Sequence, residues 1–186
     1  GKNGLPLPYA TPTGYYLKKY LDASTDISAE SGSGGKRHNW VIFRLGEFYL
    51  NYAEAIFRYL GSAGTTDNEF KMSACAAVNK VRQRSDVQMP DFPDDISNTD
   101  FWERYKKERM VELAFEGHRF WDVRRWKEGD KHFKNIVEMK ITKNGDDTYT
   151  YERKVKERSW DDKMYFFPIP QSEKSKNPNL EQNPGW

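Results

Sequence analysis

The stretch ERMVELAFEGHRFWDVRRW, at residues 108–126, decides the fold of this chain. Its glutamates Glu108, Glu112 and Glu116 recur at every fourth position, which places them along one stripe of a helix with a break at Gly117. Carboxylates at this spacing repel one another, so the stripe needs positively charged partners. Arginines three or four positions away can supply them, pairing Arg104 with Glu108, Arg109 with Glu112 and Arg119 with Glu116.

Apolar side chains cover much of the remaining circumference of this helix: Tyr105, Met110, Val111, Leu113, Ala114 and Phe115. A helix that is apolar on most sides is buried on most sides. Some of the glutamates and arginines of this helix are therefore predicted to lie inside the protein. Buried carboxylates require hydrogen-bonded cations, and the guanidinium group suits them. We therefore interpret the charged residues as a structural network: Glu108, Arg109, Glu112, Glu116, Arg119, Asp122 and Arg125.

A catalytic role for Glu112 and Glu116 is the alternative interpretation. Glycoside hydrolases use two carboxylates that flank a glycosidic bond, and one of them must act as the acid. Nothing in the sequence marks either glutamate as the acid, so we favour the structural interpretation. The sequence also has no glycine-rich phosphate loop, no serine nucleophile elbow and no HExxH motif. We therefore expect no enzymatic activity and no cofactor.

Composition excludes several other classes of protein. The 186 residues carry a formal net charge of +2 with acids and bases interleaved, so we expect no nucleic-acid binding. The single cysteine, Cys75, excludes an intrachain disulfide framework and a cysteine zinc cluster. His118 and Asp122 are four residues apart but have no third metal ligand nearby, so we expect no metal site. No apolar run approaches the roughly 18 residues of a membrane span, and no signal-peptide core is present.

Helical periodicity follows an irregular segment at residues 1–40. A first helix is predicted over residues 41–60, with Gly61 at its C-terminal end. Thr66 and Glu69 form a candidate capping box for a second helix. The two helices are predicted to form an antiparallel pair of the tetratricopeptide type, and a linker rich in proline and aspartate leads from it to the central helix.

The period changes from helical to alternating after residue 129. Apolar residues alternate over 137–141, tyrosines alternate over 149–151, and Asn144-Gly145 between them favours a two-residue primed turn, so we predict a β-hairpin. The segment MYFFPIP at 164–170 is predicted to be extended and to lie against a core. The predicted fold class is therefore mainly α, with a tetratricopeptide-like helix pair, a long central helix, long irregular loops and one small β-hairpin.

Four stretches occur in the order found in one known family: RLGEFYLNYAEA at 44–55, VNKVRQRS at 78–85, the stretch at 108–126, and FPIPQSE with NPNLEQNPGW at the end. Together they resemble the C-terminal part of the RagB/SusD family of nutrient-binding outer-membrane lipoproteins. The resemblance covers most of the chain from about residue 15 onward. Gly46 stands where the family more often has alanine, and Ser85-Asp86 stands where it often has Ala-Gly.

The resemblance implies a cell-surface binding protein that is not an enzyme. Family members sit on a TonB-dependent outer-membrane transporter and capture oligosaccharides or polysaccharides, or in some cases peptides, for import. It also implies a lipid anchor in the full-length protein, with none expected in this chain. Residues 41–186 would form a RagB/SusD-like C-terminal domain after the irregular residues 1–40. The alternatives are a helical protein–protein interaction module without its own ligand site, and a glycoside hydrolase that uses Glu112 and Glu116.

The family motif does not identify ligand contacts, so we choose candidates from the chemistry of glycan capture. Such capture uses flat aromatic faces with a few polar partners, on exposed loops. Trp160, which stands beside serine and aspartate residues, meets this requirement, as do Tyr149 and Tyr151 on the predicted hairpin. For each of the three, a purely structural role is the competing interpretation.

Overall fold

The computed structural model describes residues 17–22 and 41–186. The predicted irregular segment at residues 1–40 therefore lies almost entirely outside the described residues. The chain divides into two compact units: Asp22–Arg119, and Gly1–Leu21 together with Phe120–Trp186.

The described residues form helices and one two-stranded antiparallel sheet, which confirms the predicted mainly α class with a single small hairpin. No helix in this part of the chain is long and apolar enough to cross a membrane. In chain order the elements are α1 (Leu45–Leu60), α2 (Ala74–Arg82), α3 (Asn98–Glu112), α4 (His118–Arg125), α5 (Gly129–Phe133), β1 (Asn135–Lys143), β2 (Tyr149–Glu157), a 3-10 helix (Asp162–Tyr165) and α6 (Gln171–Lys176).

Helix α1 ends where the sequence predicts and begins slightly later than predicted. Gly61 closes it with a φ of 68°, and its N–H donates to the carbonyl of Phe57 at 3.0 Å. Glycine adopts this left-handed conformation without a steric penalty, which explains why the helix stops there. At the other end the first helical residue is Leu45, so residues 41–44 precede the helix.

Helix α2 begins at a different cap from the predicted one. The Ser73 side chain accepts a hydrogen bond from the N–H of Ala76 at 3.1 Å. The predicted capping box at Thr66 and Glu69 is wrong, because both residues lie in the loop before α2. There the Asp67 carboxylate accepts a hydrogen bond from the N–H of Glu69 at 2.9 Å, which fixes a turn in the loop.

Side chains of α1, α2, α3 and the linker build the core of the Asp22–Arg119 unit. Asn79 on α2 fixes the linker, because its side chain donates to the carbonyl of Phe92 at 2.9 Å and accepts from its N–H at 2.8 Å. The Phe92 ring then packs edge-on against Phe101 at 6.0 Å. The buried apolar residues of this unit include Leu50, Ala53, Ile56, Phe57, Ala63, Ala74, Cys75, Ala77, Val78, Val81, Phe92, Phe101, Tyr105 and Leu113.

Helix α3 ends at Glu112, and the chain turns over residues 113–117 before α4 begins. Phe115 and Gly117 both adopt left-handed conformations there, with φ of 64° and 81°. Two such residues interrupt a right-handed helix over the whole turn. The predicted helix with one break at Gly117 is therefore wrong in its extent, and Glu116 lies in the turn and not on the stripe of α3.

Burial along α3 and the turn that follows it is more one-sided than predicted. Tyr105 and Leu113 are 0% and 2% exposed, whereas Met110, Val111 and Phe115 are 41%, 69% and 71% exposed. The apolar residues around this helix therefore do not all contribute to the core of the Asp22–Arg119 unit. The prediction of a helix buried on most sides is wrong.

The β-hairpin has the predicted strands but a different turn. Strands β1 and β2 pair in register from Asn135 opposite Glu157 to Lys143 opposite Tyr149. Residues 144–148 connect them, so the predicted two-residue primed turn is wrong. Because Asn144 donates from its N–H to the carbonyl of Thr148 at 2.8 Å, the longer loop is closed by a hydrogen bond of its own.

The end of the chain is fastened to the extended segment that precedes α6. The Gln182 side chain accepts from the N–H of Ile169 at 2.7 Å and donates to its carbonyl at 3.0 Å, as a neighbouring strand would. Asn183 donates to the carbonyl of Phe167 at 2.6 Å. The Phe167 side chain is 53% exposed, so this segment is held mainly through its backbone.

Cys75 provides a test of core burial. Burial raises the pKa of its thiol from 9.0 to about 11, with a further contribution from the charge of Asp94. Because the thiolate is the reactive form, we expect Cys75 to react with DTNB at pH 8 far more slowly in the native chain than in urea. Between pH 9 and 11 the unfolded chain loses this proton first, so the free energy of unfolding should fall as pH rises, and less so in Cys75→Ala. Equal labelling rates in the two states would contradict this burial.

Tyr105→Phe tests a buried hydrogen bond between α3 and α1. The Tyr105 hydroxyl donates to the carbonyl of Leu50 at 2.9 Å and lies 3.0 Å from the Glu54 carboxylate. Removing the hydroxyl removes a buried hydrogen bond to the Leu50 carbonyl, so the free energy of unfolding in urea should fall by about 1 kcal/mol. Tyr59→Phe is the matched control, since Tyr59 is 68% exposed and should change stability by less than about 0.5 kcal/mol.

Candidate functional site

Glu112 joins arginines from two distant parts of the chain. Arg44, just before α1, donates from Nη1 to Glu112 Oε1 at 2.5 Å, and Arg84, after α2, donates to the same oxygen at 2.5 Å. These partners are 68 and 28 positions away in the sequence. The Glu112 side chain is 12% exposed, so the pairs are shielded from most of the solvent.

Arg44 also holds Glu116 in the turn after α3. Its Nε donates to one carboxylate oxygen at 2.7 Å and its Nη2 to the other at 2.9 Å, which is a bidentate pair. Partial burial by itself lowers the pKa of Arg44, but the hydrogen bonds and charges of Glu116 and Glu112 more than offset it and raise the pKa overall. The guanidinium group is therefore a charged link between the start of α1 and the end of α3.

Gly46 leaves room for this link. A Cβ atom at position 46 would lie 2.7 Å from Nη1 of Arg44 and 3.3 Å from Oε1 of Glu112. The first of these distances is too short for a real contact, so a side chain here would have to displace the guanidinium. Glycine at this position lets the ion pair pack directly on α1.

Two other members of the predicted network also have long-range contacts. Glu108 pairs with Arg82 on α2. Arg109 is 5% exposed and donates to the side-chain oxygen of Asn51 on α1 at 2.7 Å. A further member of the predicted network, Arg119, is the second residue of α4. Sequence spacing could not indicate these contacts, because they connect different helices.

The acidic residues around α4 also have partners. Asp122 is 3% exposed and pairs with Arg125, three residues along the helix, at 2.9 Å. His118 Nε2 lies 3.7 Å from the carboxylate of Glu47. Among the described residues no group of three or more His, Cys, Asp and Glu side chains could hold a metal ion.

Arg44 binds both glutamates of the alternative catalytic interpretation, Glu112 and Glu116. A glycosidase needs its two carboxylates on opposite sides of the bond that is cleaved. Glu112 and Glu116 both bind Arg44, so a sugar could come between them only by displacing that side chain. This geometry favours a structural role for the pair.

Trp160 is packed within an aromatic cluster of the Gly1–Leu21 and Phe120–Trp186 unit. Its ring centre lies 5.2 Å from that of Phe133 and 5.0 Å from that of Tyr165. A Cβ atom at Gly129 would lie 1.9 Å from Cζ2 of Trp160, so the indole sits directly on the backbone of α5. The ring is half-buried, and these neighbours cover much of its surface.

Tyr149 and Tyr151 have a different environment. They are 53% and 65% exposed on β2, and strand alternation places them on the same face of the hairpin. Residues on the same face of β1 and β2 add further exposed apolar side chains. We call this set the hairpin face: Val137, Met139, Ile141, Tyr149, Tyr151 and Val155.

The structure does not place Trp160 and the two tyrosines in one site. Tyr149 opens β2 beside the hairpin loop, whereas Trp160 follows the far end of that strand at Glu157. At about 3.3 Å per residue, the six steps from Tyr151 to Glu157 alone span roughly 20 Å. The tyrosines can contact one ligand together, and Trp160 would need a separate one.

Comparison with known proteins identifies the family. The family model described as the SusD family matches residues 5–186. The chain belongs to the SusD family. The resemblance of the four motifs to the RagB/SusD family is thereby confirmed. A comparison with curated proteins gives no match.

Two solved structures resemble this SusD family chain. A SusD-like protein from Bacteroides fragilis is 35% identical over 84% of this chain and 27% of its own length, with a TM-score of 0.65. A second protein, BT4246, is 31% identical over 83% of this chain and 25% of its own, with a TM-score of 0.59. The chain therefore spans about a quarter of the length of these relatives.

Two further surfaces of this SusD family chain were missed from the sequence. Trp121 is 57% exposed and lies 6.0 Å, between ring centres, from Phe167. A separate cavity of about 290 Å³ lies beside α1, lined by Tyr52, Ala55, Ile56, Tyr59, Glu69 and Phe70. The sequence shows that several of these residues are aromatic. Their exposure depends on how the helices pack, which the sequence pattern does not indicate.

Glu112→Gln tests the structural role of the network. The substitution removes the charge that Arg44 and Arg84 share, so we expect the free energy of unfolding to fall by about 2–3 kcal/mol, less than the roughly 3–5 kcal/mol of a fully buried pair. Urea titration followed by circular dichroism measures this. Glu138→Gln on β1, exposed and without an ion pair among the described residues, is the matched control. Unchanged stability in Glu112→Gln would contradict the structural interpretation.

Proposed function

We propose that this chain is part of a cell-surface protein that binds glycans for nutrient uptake and passes them to a TonB-dependent outer-membrane transporter. In this proposal it binds its ligand without chemical conversion and needs no cofactor. Membership of the SusD family supports the role in general. The observation that carries it in this chain is the pair of exposed tyrosines on one face of the hairpin.

The hairpin face suits a sugar because it combines flat rings with hydrogen-bonding groups. Tyrosine offers an apolar ring face and a hydroxyl that can donate or accept a hydrogen bond. The register pairs Tyr151 with Ile141 and Tyr149 with Lys143, so each ring stands beside a different kind of neighbour. An extended oligosaccharide could then stack on both rings, with its hydroxyls near the lysine. Trp160 is the less suitable candidate, since its ring is already packed.

Location and partners belong to the same proposal. A lipid anchor in the full-length protein would hold it in the outer membrane at the cell surface, and the transporter would be its protein partner. Oligosaccharides or polysaccharides are the proposed ligands, with peptides as the other ligand class found in the family. Residues 41–186 would form the C-terminal domain of that protein.

A protein–protein interaction module is the second candidate function. It is favoured by apolar residues around the start of α1, where Ile42, Phe43 and Leu45 are 74%, 68% and 67% exposed. Clustered exposed apolar side chains mark protein contacts. A partner that covered them would bind this chain without any glycan.

Affinity electrophoresis on a panel of polysaccharides tests the proposal. We expect one polymer to retard the wild-type chain and to retard the Tyr149→Ala/Tyr151→Ala variant far less. Loss of two aromatic contacts of about 1 kcal/mol each corresponds to a roughly tenfold or larger rise in Kd. Lys154→Ala is the control, because Lys154 is exposed on the opposite face of β2 and should leave retardation unchanged.

Staining the gel for each polymer separates binding from turnover. Retardation without loss of stain supports a binding protein. Clearing of a polymer would contradict the proposal and return Glu112 and Glu116 to consideration as catalytic carboxylates. If no polymer retards the chain, or if the tyrosine variant is retarded as strongly as wild type, the hairpin face is not a glycan site.

A further inference from the structure

The cavity of about 290 Å³ beside α1 is lined by one face of that helix and by the loop before α2. Tyr52, Ala55 and Tyr59 follow one another at intervals of three and four residues, so they lie along one helical stripe. The small side chain of Ala55 leaves space between the two tyrosines. We call this the α1 cavity, with the lining Tyr52, Ala55, Ile56, Tyr59, Glu69 and Phe70.

Three aromatic rings contribute to this lining. The rings of Tyr59 and Phe70 have centres 5.7 Å apart and planes at 77° to each other. Because they are not stacked face to face, the pair keeps π-electron surface beside the cavity. Tyr59 is 68% exposed, so a ligand can reach its ring from solvent. The Tyr52 hydroxyl donates to the carbonyl of Met72 at 2.8 Å, which holds the third ring in place.

The loop that carries Glu69 and Phe70 is fixed by Asp67. The Asp67 carboxylate accepts from the N–H of Glu69 at 2.9 Å and from that of Phe70 at 2.6 Å. Its own N–H donates to the carbonyl of Phe70 at 3.1 Å. These hydrogen bonds set the backbone from which both side chains line the cavity. A ligand therefore does not have to order this loop before it binds, which lowers the entropic cost of binding.

Glu69 is the charged residue of the lining. Its side chain is exposed, and none of the described residues forms an ion pair with it. Arg58 stands next to Tyr59 in the sequence but stacks on another ring, since its Cζ lies 4.2 Å from the ring centre of Trp102. The α1 cavity thus combines three aromatic rings with a carboxylate whose charge is not balanced within the described part of the chain.

We propose that the α1 cavity binds a small quaternary ammonium compound, with its cationic group against Tyr59 and Phe70 and near Glu69. Ring faces and a carboxylate both attract positive charge. A quaternary ammonium has no N–H group to satisfy, whereas a primary ammonium is strongly hydrated and needs acceptors that rings do not supply. The site lies in the Asp22–Arg119 unit and is separate from the hairpin face, so its failure would leave the glycan proposal untouched.

Choline chloride is the probe. It replaces sodium chloride stepwise at constant ionic strength in NMR spectra of the ¹⁵N-labelled chain, and we expect saturable shifts of the amides at 67–70. The neutral analogue 3,3-dimethylbutan-1-ol has the same shape without the charge, so its Kd should be roughly tenfold higher. Ethanolamine, a primary ammonium, should also bind more weakly than choline. The absence of saturable shifts, an equal Kd for the neutral analogue, or tighter binding of ethanolamine would each overturn the proposal.

Substitutions in the lining locate the site. Glu69→Gln removes the charge and Tyr59→Leu removes a ring, so each should raise the Kd for choline about two- to fivefold. Ala55→Leu keeps charge and rings but fills the cavity, and it should abolish saturable binding. Asp95→Asn and Phe48→Leu are matched controls outside the lining and should leave the Kd unchanged. All five positions are exposed, so we expect every variant to fold. Wild-type affinity in Ala55→Leu would place choline elsewhere and refute the site.

Discussion

The Asp22–Arg119 unit depends on the ion pairs that the Arg44 guanidinium forms. It binds Glu112 and Glu116, which are 68 and 72 positions away, and so brings the start of α1 to the end of α3. Ion pairs along one exposed helix contribute only about 0.2–0.5 kcal/mol each. A shielded pair that loses one partner leaves the other charge buried and uncompensated, which costs several times more. Arg84, after α2, binds Glu112 as well. Helices α1, α2 and α3 are therefore coupled by ion pairs as well as by apolar packing.

The backbone around this link is shaped to fit it. Left-handed conformations at Phe115 and Gly117 turn the chain back, so Glu116 reaches Arg44 from outside the helix. The same turn buries Leu113 while leaving Phe115 exposed. At the opposite side, Gly46 lets the guanidinium lie on α1. Local strain at Phe115, about 1–2 kcal/mol for a residue with a side chain, is offset by two charge-assisted hydrogen bonds.

Sequence patterns predicted what depends on neighbours along the chain and missed what depends on distant contacts. Periodicity predicted α1 with its end at Gly61, and alternation predicted both strands. The cap of α2 was misplaced because Thr66 and Ser73 both precede helix-forming residues, and only the folded loop shows which side chain meets a free N–H. Spacing on one helix could not reveal that Arg44 and Arg84 also bind Glu112, because these arginines lie 68 and 28 positions away in the sequence. For the candidate site, the sequence identified the aromatic residues but did not predict which of them are exposed.

Exposure decides what each aromatic residue can bind. Trp160 and Tyr151 look alike in sequence, because each stands beside charged residues near the hairpin. Gly129 allows α5 to lie against the indole, and Phe133 and Tyr165 cover it further, so Trp160 has little ring surface left for a sugar. What it retains is a buried indole N–H that has no hydrogen-bond acceptor among the described residues. Tyr151 is 65% exposed, so its ring face remains accessible to a ligand. Packing has therefore left only one of these two similar residues with a ring face that a ligand can reach.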